Sequence, residues 1–121
     1  MSTLRLPYPP KELNPNKKLH WAQKAKIVKS YKALCFALTL ESGIKVGAGR
    51  VKMSIEFIKP DNRKRDDDNI IASFKSGRDG VAWALGVDDF LFDVTYRVSG
   101  ETCDGGAVVV GFDNTKLKSV N

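Results

Sequence analysis

The sequence predicts an α/β (α+β) fold, a mixed sheet of about four strands packed against two main helices. Three observations carry that expectation. Residues 50–58 alternate apolar and polar side chains, and two stretches, about 20–42 and 67–85, hold apolar residues at helical spacing. The last third adds two apolar runs, 90–98 and 106–112, joined through Gly100–Gly105. The chain has 121 residues, of which 42% are hydrophobic and 28% charged. That is one domain's worth, and it can bury roughly two-thirds of its unfolded surface without a disulfide or metal staple.

Taken in order, residues 3–8 alternate and meet Pro9 and Pro10, which marks a short strand. Residues 11–18 carry Pro15 between Asn14 and Asn16 and form a loop. From His20 to Ser42 no Pro or Gly interrupts a helical pattern. Ile27, Tyr31, Leu34 and Leu38 form its expected core stripe, and Lys26, Lys29 and Lys32 a basic ridge on another side. Gly43, Gly47 and Gly49 mark a turn-rich connection. In the strand that follows, Val51, Met53, Ile55 and Phe57 share one face. A second helix starts near Asp67 or Asp68 and runs to about Leu85, with Ile70, Phe74, Gly77, Val81 and Leu85 as its stripe. Gly77 and Gly80 each weaken it by about 1 kcal/mol relative to Ala, so a bend is expected there. Gly86 supplies its stop. The tail from Asn114 is read as loose. No repeat or second domain is evident, so residues 1–121 are expected to form a single domain.

Several function classes are excluded early. No apolar run approaches the ~18 residues of a membrane span, and no short apolar block follows a basic start, so a cytoplasmic chain without a membrane role is expected. Cys35 and Cys103 lie far apart and read as reduced, packed thiols. His20 is the only histidine, which disfavours Ser-His-Asp and Cys-His enzymes and any metal site built on two imidazoles. The formal charge of +6 conceals a polarity. Residues 1–65 hold fifteen basic and four acidic side chains, whereas residues 66–121 hold five basic and ten acidic. A basic half suggests a polyanion partner, because Lys and Arg near phosphates displace condensed counterions.

The chemistry concentrates where the signs meet. Asp66, Asp67, Asp68 and Asn69 open the second helix directly after Arg63, Lys64 and Arg65, and Asp88 and Asp89 follow it. Residues two apart in extended backbone point the same way, so Asp66 and Asp68 can converge. If the strand starting near Phe90 lies beside the strand ending near Lys59, Asp89 completes a three-carboxylate cluster, with Asp88 and Asp67 in reserve. Such hard oxygen ligands suit Mg²⁺, with Mn²⁺ as a substitute. Two unit charges ~4 Å apart at an effective dielectric of ~20 repel by about 4 kcal/mol, so ionised carboxylates gathered this way need a cation. The competing reading is capping by Asp67 or Asp68, since aspartates stabilise helix N-termini. An EF-hand is ruled out: Ile71 stands where the turn glycine belongs, and no Glu lies near residue 77.

Lys75 follows Asp68 by two helical turns and Arg78 lies one turn further, so either can approach a bound phosphate. Lys17, Lys18, Lys24, Arg63, Lys64 and Arg65 are the remaining nucleic-acid contact candidates. His20 is read as a phosphate or helix-terminus contact, and Trp21 and Trp83 as core.

The run Arg65-Asp66-Asp67-Asp68-Asn69 followed by Asp88-Asp89, with the opening Leu6-Pro7-Tyr8-Pro9-Pro10, resembles the RusA family of Holliday junction resolvases over about residues 4–112. The resemblance implies a RusA-like fold and a Mg²⁺-dependent homodimeric endodeoxyribonuclease that binds four-way DNA junctions and nicks two opposed strands. It places the metal chemistry on Asp66, Asp68 and Asp89. The family's helix lysine has no match one turn after Asp68, where Ala72 stands, and Lys75 is its nearest counterpart.

Overall fold

The structure, a computed structural model, describes residues 2–113. Strand β1 (Ser2–Leu6) leads through a 3-10 turn (Lys11–Leu13) to helix α1 (Trp21–Ser42). Strand β2 (Val51–Lys59) is followed by helices α2 (Asp67–Ser73) and α3 (Lys75–Leu85). A 3-10 turn (Asp89–Leu91), strand β3 (Phe92–Thr102) and strand β4 (Ala107–Phe112) complete the described chain. The four strands form one mixed sheet in the order β1-β4-β2-β3. Strand β4 runs antiparallel to both β1 and β2, while β2 and β3 are parallel, joined by the α2–α3 crossover. The mixed α+β architecture is the one expected.

The alternation in β2 places Val51, Met53, Ile55 and Phe57 in the core, as predicted, together with Leu4, Leu6, Val108, Val110 and Phe112. The opposite face of the sheet is polar and carries the Arg50–Asp93 and Arg97–Glu56 ion pairs. Helix α1 is capped by His20 and ends where Gly43 turns left-handed at φ 72°. Its buried residues are Tyr31, Cys35 and Thr39, whereas Leu34 is 43% exposed and Ile27 and Leu38 are half-buried. Tyr31, Ile27 and Leu38 of the expected stripe thus face the core and Leu34 alone is turned out, while Cys35 and Thr39 are buried beside them. Thr39 donates its hydroxyl to the Cys35 carbonyl at 2.7 Å, so this polar side chain is buried satisfied. Tyr31 likewise donates to the Pro7 carbonyl at 2.5 Å.

The long second helix of the sequence reading is two helices. The break falls at Phe74 (φ −95°, ψ 1°), whose ring is buried edge-on against Phe57 at 5.7 Å and Tyr31 at 6.2 Å. The expected bend at Gly77 and Gly80 is absent, since both lie inside α3. They are contact points instead. A Cβ at Gly80 would stand 2.4 Å from the Lys32 carbonyl oxygen, and one at Gly77 2.7 Å from the Tyr31 ring. Gly86 stops α3 with a left-handed φ of 68°, as predicted.

Trp21 and Trp83 are 77% and 63% exposed, which overturns their assignment to the core. Trp83 packs at the surface against Phe36, ring centroids 4.4 Å apart and planes tilted by 35°, and the Lys32 ammonium lies 5.4 Å from its ring. Both cysteines are free. Burial pushes the Cys35 thiol up to about 11, against an opposing hydrogen bond with Tyr31. Among the described residues no helix is long and apolar enough to cross a membrane. The tail from Asn114 lies outside the described residues.

Candidate functional site

The end of β2 feeds a loop, residues 60–65, whose shape is set by one carboxylate. Asp61 accepts Arg65 Nη1 at 2.8 Å, Arg63 Nη2 at 3.5 Å and the Arg63 backbone N–H at 2.9 Å. The Arg65 hydrogen bond, followed by that from the Arg63 N–H, holds the Asp61 carboxyl down at about 2. Arg65 also donates to the Asp61 and Arg63 carbonyls, and its side chain is only 22% exposed. It ties the loop together. Arg63, at 80% side-chain exposure, and Lys64 remain open to solvent. Of the three loop cations, two are thus available to a polyanion.

Asp66 follows with extended backbone (φ −80°, ψ 123°) and caps α2 by accepting the Asp68 N–H on Oδ1 at 2.9 Å. Asp67 and Asp68 occupy the first helical turn and are exposed. Two acidic residues in that turn also suit the positive end of the helix dipole.

Asp89 is placed differently from the expectation. Strand β3 lies beside β2, as the gathering of Asp89 with Asp66 and Asp68 required, but the parallel register pairs Phe92 with Val51, at the beginning of β2, whereas Asp66 follows its end. A crossover connection returns the chain to the sheet's starting edge before the next parallel strand, which is why the shared end was lost. Asp89 Oδ2 accepts Arg78 Nη2 at 3.3 Å, and Arg78 Nη1 donates to the Tyr96 hydroxyl at 2.9 Å. The Nε of Arg78 is buried and has no hydrogen-bond partner. Asp88 is exposed and enters no ion pair among the described residues.

Arg78 and Tyr96 line a crevice of about 180 Å³ with Ile71, Ala72, Phe74 and Lys75. Lys75 is paired with Asp79 at 3.7 Å. The break at Phe74 cancels the two-turn count that placed it over Asp68. Lys75 also borders a groove of about 310 Å³, which it shares with Lys24 from α1 and with Leu13, Pro15 and Ser76. Two predicted cations from separate elements therefore meet on one surface. Lys17 and Lys18 are exposed in the segment leading into α1. His20 is a helix-terminus contact: its Nδ1 accepts the Ala22 N–H at 3.2 Å, and its ring stacks on Trp21 at 5.7 Å.

The donor chemistry at α2 fits Mg²⁺ in kind, since this ion is commonly held by one or two carboxylates, several waters and substrate phosphates. Asp66 keeps Oδ2 beside its capping Oδ1, and Asp67 and Asp68 are unpaired among the described residues. Among those residues no group of three or more His, Cys, Asp or Glu stands ready to hold a metal, so Asp66, Asp68 and Asp89 do not form a closed set in this arrangement. The sequence reading missed Asp61, which organises the basic loop, and Tyr96, which anchors Arg78. Asp61 carried a signal in its i, i+4 spacing to Arg65, whereas nothing local marks Tyr96.

No family model matches the sequence. The chain is 37% identical over 114 residues to an uncharacterized protein of Xylella fastidiosa (strain Temecula1 / ATCC 700964). The match covers 91% of this chain and 74% of that protein's length. With identity at this level along nearly the whole chain, and with most of the relative spanned, the two share one fold and one ancestry, and the chain belongs to the same family as the Xylella protein.

Proposed function

We propose that the protein is a Mg²⁺-dependent, structure-selective endodeoxyribonuclease that resolves four-way (Holliday) junctions by paired symmetric nicks, acting in the cytoplasm as a homodimer. The observation that carries this reading is the adjacency of an acidic helix start, Asp66–Asp68, to the open cations Arg63 and Lys64. Carboxylates for a hard divalent ion and cations for a phosphate backbone lie within one stretch of surface. The resemblance to the RusA family points the same way. Asp66 and Asp68 would hold the ion, and Asp89 would join them only through a shift of the segment before β3 that also frees it from Arg78. Bound Mg²⁺ supplies an acidified water and charge stabilisation at phosphorus. Lys75 and Arg78 would face charge developing on the phosphate, while Lys17, Lys18, Lys24, Arg63 and Lys64 bind flanking phosphates. A two-fold dimer would set one such site on each of two opposed strands, matching the junction's own approximate symmetry.

The test compares nicking of a four-way junction, a fork and a linear duplex by the wild type and Asp68→Asn. The junction is expected to be cut preferentially. The variant is expected to lose nicking by at least about a hundredfold, the upper end of what even an outer-shell partner of a metal ligand costs when removed. Junction binding should persist or tighten, because a repelling charge has left the phosphate site. Wild-type cleavage by Asp68→Asn in Mg²⁺ would refute the assignment.

A second reading, a non-catalytic DNA-binding or phage-assembly module, is favoured by one observation, the capping role of Asp66. Melting with and without Mg²⁺ or Mn²⁺ separates the two. A metal site gains RT ln(1 + [L]/Kd), whereas a cap does not respond.

A further inference from the structure

Beside the Asp61 loop lies a cavity of about 330 Å³ that shares Asp61, Arg63 and Arg65 with the site described above and whose remaining lining has no role there. This is within the range of roughly 300–1,000 Å³ typical of small-molecule pockets and far too small for a duplex. Its apolar wall comes from Tyr8, Pro9, Pro10, Pro60 and Ile70, and its polar rim from Lys11, Asn14, Asp61, Arg63 and Arg65. The elements that meet there are the end of β1, the 3-10 turn, the end of β2 and α2.

Two features of this wall are rigid. The Tyr8 side chain is seated against the backbone at Gly106, whose hypothetical Cβ would lie 2.9 Å from Tyr8 Cβ and Cγ. The Arg65 guanidinium is fixed by Asp61 and by two backbone carbonyls. An aromatic ring and an immobilised guanidinium are the side chains on which unstacked bases are held. Burial and the Asp61 carboxylate raise the Tyr8 hydroxyl above its usual range, partly offset by Arg65, so the phenol stays protonated and neutral. Around the ring the charge is that of a phosphate-binding rim. Lys11, Arg63 and Arg65 outnumber the single carboxylate, and Arg63 and Lys11 are exposed. Asn14 Oδ1 is engaged by the Asn16 N–H at 2.8 Å, which leaves its amide N–H₂ to donate to a base edge. The cavity also adjoins the candidate site covalently, since Arg65 precedes Asp66.

We propose that this cavity binds one unpaired nucleotide of a DNA strand, its base against Tyr8 and Arg65 and its phosphate between Lys11 and Arg63. The inference rests on the DNA-directed reading above and adds what that reading lacks, a means of telling branched or single-stranded DNA from duplex. A strand whose phosphate lies at the α2 start can place a neighbouring unpaired base in the cavity, and a base-paired strand cannot.

The experiment measures equilibrium binding to a short single strand and to a duplex of equal length by fluorescence anisotropy. A 2-aminopurine in the single strand reports stacking directly. For Tyr8→Leu the ratio of single-strand to duplex affinity is expected to fall about tenfold, the loss of one base–aromatic stack. Tyr8→Phe should keep both the ratio and the 2-aminopurine quenching. Lys11→Glu, at an exposed rim position that cannot disturb the core, should weaken single-strand binding more than Lys29→Glu, which makes the same change of charge on the exposed side of α1. Equal weakening of single strand and duplex in Tyr8→Leu, or equal effects of Lys11→Glu and Lys29→Glu, would overturn the proposal. The two readings fail separately. Single-strand preference without cleavage of any DNA would end the nuclease assignment and leave the pocket, whereas junction cleavage indifferent to Tyr8→Leu and Lys11→Glu would end the pocket alone.

Discussion

Replacing Gly80 by Ala pits two opposed effects against each other, and the structure decides the sign. In an exposed helix interior the change stabilises by about 1 kcal/mol, because Ala is the better helix former. Gly80, however, is buried where α3 crosses α1. An added Cβ would meet the Lys32 carbonyl oxygen at 2.4 Å, the Lys32 carbonyl carbon at 3.2 Å and the Phe36 nitrogen at 3.1 Å. These are backbone atoms of a regular helix, so no rotamer change relieves the contact. Restoring ordinary van der Waals distance at the oxygen, 3.4 Å or more, requires the helices to part by about 1 Å. That separation loosens Tyr31, Cys35, Phe74 and Val81, all in the core. Overpacking costs about 1–3 kcal/mol where side chains can adjust, and a clash with fixed backbone belongs at or above the top of that range. Subtracting the propensity gain leaves a net loss of about 2 kcal/mol, or a Tm lower by about 6–10 °C for a domain of this size. Urea unfolding followed by far-UV circular dichroism reads the shift as a lower midpoint at unchanged slope. A midpoint equal to or above wild type would refute the account of α1–α3 packing. Gly77→Ala should destabilise as well, since the added Cβ would come within 2.8 Å of the buried Phe74 and Tyr31 rings.

Arg78→Gln removes the guanidinium that occupies Asp89, so the rise in Tm on adding Mg²⁺ should be larger in the variant than in wild type; an equal or smaller rise would show that Arg78 does not compete with a cation. The Asp61 carboxyl, lowered by its hydrogen bonds from Arg65 and Arg63, should titrate near 2 in carbon-detected NMR. Because its folded value lies below the unfolded one, the loop stability it confers is complete above about pH 4 and is lost as pH falls toward 2; Asp61→Asn should remove that acid dependence, and an Asp61 titrating at an ordinary carboxylate value would refute the tie to Arg65. Junction affinity should fall with salt by roughly 0.9 log units per decade for each phosphate neutralised, and a flat salt profile would count against any DNA role.

What could be read from the chain alone was local. The period of two in Val51, Met53, Ile55 and Phe57 identifies a buried strand face wherever that strand lies, because side-chain alternation follows from backbone geometry. His20 and Gly86 at the ends of helices are legible for the same reason, as caps act within one turn. The acidic turn formed at the predicted place, but its cap is Asp66, one residue before the expected Asp67 or Asp68. Where the reading depended on which way a helix is rolled, it slipped. Leu34, Trp21 and Trp83 are apolar and exposed, whereas Thr39 is polar and buried. Hydropathy weighs the residue, while the partner helix selects the face.

By itself, then, the amino-acid order determined the elements, the segregation of cations from carboxylates along the chain, and the acidic start of α2. Only the tertiary structure decided that β3 runs parallel to β2, that the long helix breaks at Phe74, and that Asp89 meets Arg78, itself held by Tyr96, instead of Asp66 and Asp68. Strand direction and the partner of a charged side chain are properties of pairs of segments distant in sequence. They are settled by which apolar faces bury one another, and a single segment's pattern does not encode that choice.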